Sequence, residues 1–256
     1  MIDLNTQAKN TWCPGCTNFL ILSAFKNVLN ELFSTGLNKD NVVMTAGIGC
    51  HGKIADYVNI NSFISLHGRE VATATGIKLA NPKLTVVAFA GDGDAYAEGI
   101  EHLVHAAKRN SNITLLVHNN QVFGLTTGQV TPTSVKGYKG RSTPFGSVEE
   151  PLNPLSVLLS SGATFVARTY AGNLQEMQVI MKKAIQHKGF SVVDILQPCI
   201  SFKDTREYFK ERVCELEKNY PTDKLDMALV EVRSNGDKIP CGIFYQVQKP
   251  IFEDSF

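Results

Sequence analysis

The sequence contains no apolar run long enough to cross a membrane. The best candidate, residues 84–90, is far shorter than the roughly 20 residues that a membrane-spanning helix needs. Residues 1–5 have neither a basic patch nor an apolar stretch, so we expect no secretory signal. We therefore expect a cytoplasmic protein.

An excess of charge of either sign is also missing. The 256 residues include 25 Lys and Arg against 24 Asp and Glu, a formal charge of +1, and the basic residues are scattered. This balance gives no reason to expect a nucleic acid or an anionic membrane as a partner. With 43% hydrophobic residues, the composition is that of an ordinary globular protein.

The six cysteines lack the spacings that identify common cysteine sites. No second C-x-x-C or His pair follows the first at zinc-finger spacing, and the four-cysteine run of ferredoxin modules is missing. Structural disulfides are not expected in a reducing cytoplasm. Metal binding of another kind, or catalysis, is therefore the better explanation for these cysteines.

Helical and strand-like patterns alternate along the chain. Helical spacing of apolar residues predicts helices over residues 18–33, 70–80, 98–109, 155–161, 174–187 and 203–218. Short apolar runs predict strands over residues 42–45, 84–90, 113–117, 164–167, 191–196 and 242–245. Strands separated by helices imply right-handed crossovers, so the predicted fold class is α/β, with a mainly parallel sheet flanked by helices.

Residues 121–153 break this alternation. They are rich in Gly, Thr, Ser and Pro, and a loop of this length inside a compact domain is usually functional. We therefore predict one α/β domain over residues 1–256, with a long cofactor or substrate loop at about 121–153. A C-terminal extension is predicted from about residue 200.

Polar residues follow two consecutive predicted strands. Residues 84–90 run into Gly91-Asp92-Gly93-Asp94 and a helix, and the next strand leads to Asn119-Asn120. Ligands bind at the carboxyl ends of parallel strands in such folds, and glycines let the backbone approach a phosphate closely. The Asp92 carboxylate and the Asn120 carbonyl are oxygen ligands of the kind that Mg²⁺ takes beside phosphate and water. Because Asp-Gly pairs also mark ordinary turns, it is the combination with Asn119-Asn120 that favours a diphosphate–Mg²⁺ site.

Two cysteines lie in a Pro-Gly turn, Trp12-Cys13-Pro14-Gly15-Cys16. By itself this pair could bind zinc or form a redox dithiol, although no strand precedes it as in thioredoxin-like proteins. Cys50 lies at the carboxyl end of one predicted strand and Cys199 lies just past another, which places both at the sheet edge of Asp92. Four thiolates converging there would hold an iron–sulfur cluster.

Together, these motifs resemble the β subunit of 2-oxoacid:ferredoxin oxidoreductases from about residue 12 to about residue 202, with a weaker likeness at residues 239–245. The Gly-Asp-Gly and Asn-Asn pair by itself resembles the motif of thiamin-dependent enzymes. In chain order the motifs that match the β subunit are Trp12-Cys13-Pro14-Gly15-Cys16, Gly47-Ile48-Gly49-Cys50, His67-Gly68-Arg69, Gly91-Asp92-Gly93-Asp94, Gly124-Leu125-Thr126-Thr127-Gly128-Gln129 and Pro198-Cys199.

The resemblance implies a thiamin diphosphate-binding fold with three bound groups. It implies a 4Fe-4S cluster on Cys13, Cys16, Cys50 and Cys199. It implies Mg²⁺ on Asp92, Asn120 and the backbone carbonyl of Val122, with Asn119 structural. Contacts to thiamin diphosphate are implied for Ile48, Gly49, Cys50, His67, Gly91, Asp92, Gly93, Asp94, Asn120, Val122, Gly124, Leu125 and Thr126.

Several residues have two interpretations. His67 fits a hydrogen-bonded turn histidine, but Gly68-Arg69 after it favours a contact to the diphosphate. Lys53 fits a solvated lysine; our hypothesis is a contact to the substrate carboxylate. Thr17 replaces a glycine usual in the family, Cys214 is expected on a helix face, and Cys241 is expected to be a small buried residue. The remaining histidines are expected to be structural, namely His51, His102, His105, His118 and His187.

The implied reaction converts a 2-oxoacid, coenzyme A and oxidised ferredoxin into an acyl-CoA, CO₂ and reduced ferredoxin. The resemblance favours 2-oxoglutarate or a broad range of 2-oxoacids over pyruvate alone. No Glu lies in a context suited to thiamin activation, so we expect an alpha subunit, with or without gamma and delta subunits, in a heterodimer or larger assembly. Two alternatives stay open: a non-redox thiamin-dependent decarboxylase, and a non-catalytic regulatory module that binds zinc or an iron–sulfur cluster.

Overall fold

The strands of this computed structural model, which describes residues 2–234 and 237–255, form one eight-stranded sheet. In chain order they are β1 (Val42–Ala46), β2 (Asn61–Ile64), β3 (Thr85–Gly91), β4 (Thr114–Asn119), β5 (Phe165–Tyr170), β6 (Ser191–Leu196), β7 (Val213–Glu215) and β8 (Ile239–Gln246). The order across the sheet is β2-β1-β3-β4-β6-β5-β8-β7. Neighbours run parallel except β5 and β8. The predicted α/β class with a mainly parallel sheet is confirmed.

Helices cover both faces of this sheet. The α-helices are α1 (Asn18–Ser34), α2 (Glu70–Ala80), α3 (Ile100–Arg109), α4 (Pro154–Ser160), α5 (Leu174–Gln186), α6 (Arg206–Arg212) and α7 (Leu225–Glu231). Shorter elements are the 3₁₀ turns Lys39–Asn41, His51–Asp56 and Phe252–Ser255 and the π-helical turn Asp94–Glu98. Among the described residues, no helix has both the length and the apolar character that a membrane crossing requires.

The central strands are apolar on both faces because helices bury each face. In β3, Val87 and Phe89 pack into a core with α1 and α5, whereas Ala88 and Ala90 pack into a second core with α2, α3 and α4. Phe25 of α1 lies edge-on to Phe89, with ring centroids 4.9 Å apart. Burial on both faces explains the uninterrupted apolar run that predicts this strand.

The helix predicted over residues 98–109 is divided near its start. The π-helical turn Asp94–Glu98 follows β3, and α3 begins only at Ile100. Gly99 separates the two, and a Cβ on it would stand 2.8 Å from the Gly68 carbonyl oxygen. Single π-helical turns occur often at functional sites, and this one carries Asp94.

The helix predicted over residues 203–218 is wrong for most of its length. Only Arg206–Arg212 is helical, and Val213–Glu215 forms β7, which pairs in parallel with the first residues of β8. Cys214 therefore lies on a strand and not on a helix face, because pairing with a distant segment overrides the local pattern. The last strand is longer than predicted. The sequence pattern also misses β2, whose residues are all exposed, and α7, which buries only Ala228.

The segment between β4 and α4, residues 120–153, contains no helix and no regular strand. Its backbone is held locally, for example by the bridge between Phe123 and Gln129. It also reaches the carboxyl edge of the sheet, where the Thr133 hydroxyl donates to Asp92 Oδ2 at 2.7 Å. A single domain with a functional loop and a C-terminal extension stays a prediction.

Candidate active site

The chain segments that follow β1, β3, β4 and β6 meet at the carboxyl edge of the sheet. β3 and β4 are adjacent and parallel, with Gly91 opposite His118, so Asp92 and Asn120 leave the sheet side by side. One cavity there is lined by every residue for which a thiamin diphosphate contact is implied, together with His51, His118, Phe123 and Gln197. The convergence expected from parallel strands is present in the structure.

The residues implied for Mg²⁺ present oxygen atoms in this cavity. Asp92 is 1% exposed, and burial raises its pKa to about 6 in spite of hydrogen bonds from Thr131 and Thr133. Asn120 is held by its own amide, which donates to Gln197 Oε1 at 3.0 Å, while its Oδ1 accepts from the Val122 amide at 3.1 Å. A divalent cation would offset the cost of burying the Asp92 carboxylate, so this donor set fits Mg²⁺ beside a diphosphate.

Asn119 faces away from these oxygens. Its amide donates to both carboxylate oxygens of Asp194, at 3.1 and 3.2 Å, and its Oδ1 accepts from the Thr133 hydroxyl at 3.0 Å. Asp194 also accepts from the Tyr96 hydroxyl at 2.9 Å. The structure therefore gives Asn119 contacts of the structural kind expected for it, beneath the cavity rather than in it.

Asp94 is surrounded by hydrogen-bond donors at the other side of the cavity. His51 Nε2 lies 3.0 Å from Oδ2, His67 Nδ1 lies 3.0 Å from Oδ1, and the Gly68 amide donates to Oδ1 at 2.7 Å. Burial by itself would raise the pKa of Asp94, but the hydrogen bond and charge of His51, with Gly68 and His67, hold it below its usual value. Asp94 thus holds the His51 imidazole by a hydrogen bond and lies at ion-pair distance from His67, which makes no hydrogen bond through Nδ1 among the described residues.

The four cysteines implied for the cluster line a second cavity of about 190 Å³. A Cβ on Gly124 would stand 3.6 Å from Cys50 Sγ and 3.8 Å from Cys199 Sγ, so both sulfurs face this glycine. The two cavities share five lining residues: Cys50, Asn120, Gly124, Leu125 and Gln197. The two cavities are therefore neighbours that share one wall, and no helix or strand of the described residues lies between them.

Trp12 and Thr17, which flank the N-terminal cysteine turn, both hydrogen-bond to other parts of the site. The Trp12 indole donates to the Cys50 carbonyl at 2.6 Å and packs edge-on against Tyr57, with centroids 4.9 Å apart. The Thr17 hydroxyl donates to the Pro198 carbonyl at 2.9 Å and accepts from the Gln197 amide at 2.9 Å. Thr17 has a φ of −71°, a conformation that any residue adopts, so the missing glycine costs the turn nothing here.

Thiolates of these cysteines are the sulfur donors that an iron–sulfur cluster requires. Burial, with the neighbouring thiols, raises the pKa of Cys16 to about 11, and burial also raises the pKa of Cys50. Bound metal would hold these groups as thiolates. Within residues 2–234 and 237–255, no three His, Cys, Asp or Glu side chains are close enough together to share one metal ion.

Comparison with known proteins gives the family. Residues 47–195 match the family model described as thiamine pyrophosphate enzyme, C-terminal TPP binding domain, and residues 199–256 match the model for the C-terminal part of the pyruvate ferredoxin oxidoreductase beta subunit. The chain is 44% identical over 253 residues to the 2-oxoacid:ferredoxin oxidoreductase subunit beta of Saccharolobus solfataricus, covering 93% of this chain and 82% of the relative. The chain belongs to the β subunits of the 2-oxoacid:ferredoxin oxidoreductases.

Two other relatives of this β subunit are named for 2-oxoglutarate. It is 40% identical over 225 residues to the 2-oxoglutarate oxidoreductase subunit KorB of Mycobacterium tuberculosis, covering 86% of this chain and 60% of the relative. A solved structure of 2-oxoglutarate:ferredoxin oxidoreductase from Magnetococcus marinus, with 2-oxoglutarate, coenzyme A and succinyl-CoA bound, superposes with a TM-score of 0.95. Its sequence identity is 35%, over 98% of this chain and 86% of that chain.

Membership in this family settles the broad questions that the sequence left open. The chain is a subunit of an oxidoreductase that has several subunits, and it carries the thiamin diphosphate-binding domain. A non-catalytic module and a non-redox decarboxylase are thereby set aside.

Lys53 contributes a positive charge to the lining of the cysteine cavity. It lines that cavity, and its ammonium group donates to the Thr11 carbonyl at 3.4 Å. Burial raises the pKa of Cys50, and the Lys53 charge opposes that rise. The contact to a substrate carboxylate stays a hypothesis, since the lysine is also partly solvated.

Two residues of the β subunit that were expected to be structural line the diphosphate cavity. His51 is almost completely buried, and Gly49 and Gly91 leave room for its ring, since a Cβ on either would stand within 3 Å of it. His118 is buried beside it and lies 2.8 Å from Asn18 Oδ1. In the sequence, the position of His51 between two glycines shortly after a strand could have indicated that it lies in the cavity. Cys241, by contrast, is fully buried as expected.

Proposed function

We propose that this β subunit holds thiamin diphosphate with Mg²⁺ and a 4Fe-4S cluster at one edge of its sheet. Together with its partners it converts a 2-oxoacid and coenzyme A into an acyl-CoA and CO₂, and it passes the electrons to ferredoxin. The observation that carries the proposal is the shared wall of the two cavities, in which Cys50 and Gly124 line both the cysteine site and the diphosphate site.

The bound groups supply the electronic chemistry and the chain supplies their positions. When bound, thiamin diphosphate would supply a nucleophile and an electron sink for 2-oxoacid chemistry, and a cluster on the four cysteines would supply a one-electron acceptor. Asp92, Asn120 and the Val122 carbonyl hold the Mg²⁺ that neutralises the diphosphate. His67, whose Nδ1 lies 3.0 Å from Asp94 Oδ1, would add a donor at the cavity rim, where its partly exposed ring could meet a phosphate oxygen.

The substrate is a 2-oxoacid, with 2-oxoglutarate or a broad range favoured over pyruvate alone. Relatives named for 2-oxoglutarate and a solved relative with 2-oxoglutarate, coenzyme A and succinyl-CoA bound support this choice and the use of coenzyme A. Lys53 lines the cysteine cavity, and its positive charge there would attract a substrate carboxylate.

The surface around the diphosphate cavity indicates that another polypeptide completes the site. Ile48 and Leu125 line the cavity and are nevertheless exposed, and Leu66, next to His67, is 77% exposed. Apolar side chains grouped around a cofactor cavity mark a surface that another protein covers. We assign that surface to the alpha subunit, which would also bring the carboxylate that activates thiamin.

The test is anaerobic co-expression of the chain with its partner subunits, followed by iron, sulfide, Mg²⁺ and thiamin analysis and assay of coenzyme A-dependent ferredoxin reduction. We expect brown protein that dithionite bleaches, and activity with 2-oxoglutarate. Cys50→Ala should lose the colour and the ferredoxin reduction, whereas Cys214→Ala, a matched change on β7, should keep both. Colourless native protein that contains zinc, or equal behaviour of the two variants, would contradict the proposal.

A further inference from the structure

Asn18 is a buried side chain between the two cavities, and half of its carboxamide lacks a partner. It is the first residue of α1, it is 1% exposed, and it lines the cysteine cavity. Its Oδ1 lies 2.8 Å from Nδ1 of His118, which lines the diphosphate cavity. Its Nδ2 has no hydrogen-bond partner among the described residues. Buried polar groups in native proteins are nearly always partnered, so this amide nitrogen requires an explanation.

The surroundings of the Asn18 carboxamide decide which of its two ends faces which neighbour. An imidazole N–H can donate to the amide oxygen, so the contact with His118 suits Oδ1. Thiolate and sulfide sulfurs only accept hydrogen bonds and carry negative charge. Turning the amide over would direct its oxygen at the cavity that such sulfurs occupy, and the NH₂ group is the end that they attract. The orientation with Oδ1 on the imidazole therefore leaves two N–H donors for the cysteine cavity.

Other donors of the same wall already reach sulfur atoms. The backbone amide of Asn18 hydrogen-bonds to the Cys16 thiol, and the Ser201 hydroxyl donates to Cys13 Sγ at 3.3 Å. The Asn18 side chain is thus a further donor in a cavity lined by the four cysteines implied for the cluster. A bound cluster would fill this cavity with sulfur acceptors, which are the partners that Nδ2 lacks.

We propose that Asn18 raises the reduction potential of the cluster: its side-chain amide donates a hydrogen bond to a cluster sulfur, while His118 holds the amide oxygen. This inference rests on the proposed function, because it requires the cluster. Hydrogen bonds to sulfur stabilise the reduced cluster, which carries one more negative charge, and so raise its potential. The electron still comes from the 2-oxoacid and still leaves to ferredoxin. Asn18 changes only how readily the cluster takes it up.

The test is an anaerobic redox titration of the complete enzyme, with the reduced cluster followed by electron paramagnetic resonance. The signal of this cluster is the one that Cys50→Ala lacks. Asn18→Leu keeps the approximate size of the side chain and removes the donor. One hydrogen bond changes an equilibrium by about fivefold, so the midpoint potential should fall by about 40 mV, at 59 mV for each tenfold change in a one-electron couple.

Two controls separate this effect from damage to the fold. Asn27→Leu is the same change at an exposed position of α1 and should keep the native potential. Thiamin diphosphate binding by Asn18→Leu, measured by calorimetry, should stay within about twofold of native, because His118 and not Asn18 lines the diphosphate cavity. A merely structural role for Asn18 would weaken both properties together.

A native midpoint potential in Asn18→Leu, or an equal fall in Asn27→Leu, would overturn the inference. A second measurement needs no variant, and so it decides the matter even if Asn18→Leu does not retain its cluster. Native enzyme whose asparagine side chains carry ¹⁵N should show coupling of that nitrogen to the reduced cluster in pulsed electron paramagnetic resonance, and absence of any such coupling would also overturn it. Native enzyme without an iron–sulfur cluster would instead count against the proposed function.

Discussion

The hydroxyl of Thr17 links the N-terminal cysteine turn to the segment that carries Cys199 by two hydrogen bonds. It donates to the Pro198 carbonyl and accepts from the Gln197 amide, both at 2.9 Å, in a site that is almost completely buried. It makes no capping bond to α1, although Thr17 is the residue that precedes the helix. Thr17→Val keeps the shape of the side chain and removes only these two hydrogen bonds.

The size of the effect follows from those two bonds. A hydrogen bond contributes about 1 kcal/mol net, so Thr17→Val should lower the free energy of opening this turn by about 2 kcal/mol. That difference corresponds to about a 30-fold larger population of the open turn. Because opening separates Cys13 and Cys16 from Cys50 and Cys199, cluster loss should accelerate by a similar factor.

The assay follows the visible absorbance of anaerobically purified enzyme after addition of an iron chelator. Thr17→Ser is the matched control, since it keeps the hydroxyl, and its rate of cluster loss should lie within about twofold of native. Equal rates for Thr17→Val and native enzyme would refute the view that these hydrogen bonds hold the turn. Equal rates for the Val and Ser variants, both faster than native, would assign the effect to disturbed packing at this position and not to the loss of these hydrogen bonds.

Three further predictions concern other parts of the chain. Gly47→Ala should weaken thiamin diphosphate binding at least about tenfold because its Cβ would displace Asp94, whereas Gly76→Ala, with nothing within 4 Å, should stabilise α2 by about 0.5–1 kcal/mol in urea unfolding. Lys53→Ala should raise KM for 2-oxoacids by about tenfold, with Lys53→Arg in between; unchanged KM for every substrate would dismiss the contact. Burial, followed by the Glu215 charge, raises the pKa of Glu176 from 4.5 to about 7, so the stability it contributes is complete below pH 4.5 and is lost as pH rises through 7. The melting temperature of Glu176→Gln should therefore not fall between pH 4.5 and 7 as that of the native protein does. The same pH dependence in both proteins would contradict this prediction.

Topology explains how far the sequence alone predicts this site. Asp92 and Asn120 follow consecutive strands, and any parallel arrangement of those strands brings them to one edge. Cys50 and Cys199 follow other strands of the same sheet, so their approach to Asp92 requires only the fold class. The positions of these residues could therefore be predicted without knowledge of any side-chain contact.

The residues that the sequence does not predict depend on packing between distant segments. His51 enters the cavity only because β1 lies beside β3, which brings Gly91 against its ring. Glu70 looks like an ordinary acidic residue in the first turn of a helix, and only the fold buries it against Asp94. Cys214 is misplaced for the same reason, since β7 exists only through its pairing with β8. Local patterns contain no information about such neighbours.

Gln197 connects the two parts of the chain that we propose to hold thiamin diphosphate with Mg²⁺ and the cluster. Its carbonyl accepts from the Asn120 amide at 3.0 Å, and its amide donates to the Thr17 hydroxyl at 2.9 Å, so one side chain contacts both a proposed Mg²⁺ ligand and the cysteine turn. A carboxamide does not titrate, so this link keeps the same hydrogen bonds at every pH at which the enzyme folds. Electron transfer between two groups depends on a fixed separation, and rigid support of both by the same buried side chain provides it. If the cluster were carried on another polypeptide, motion at the interface would change that separation.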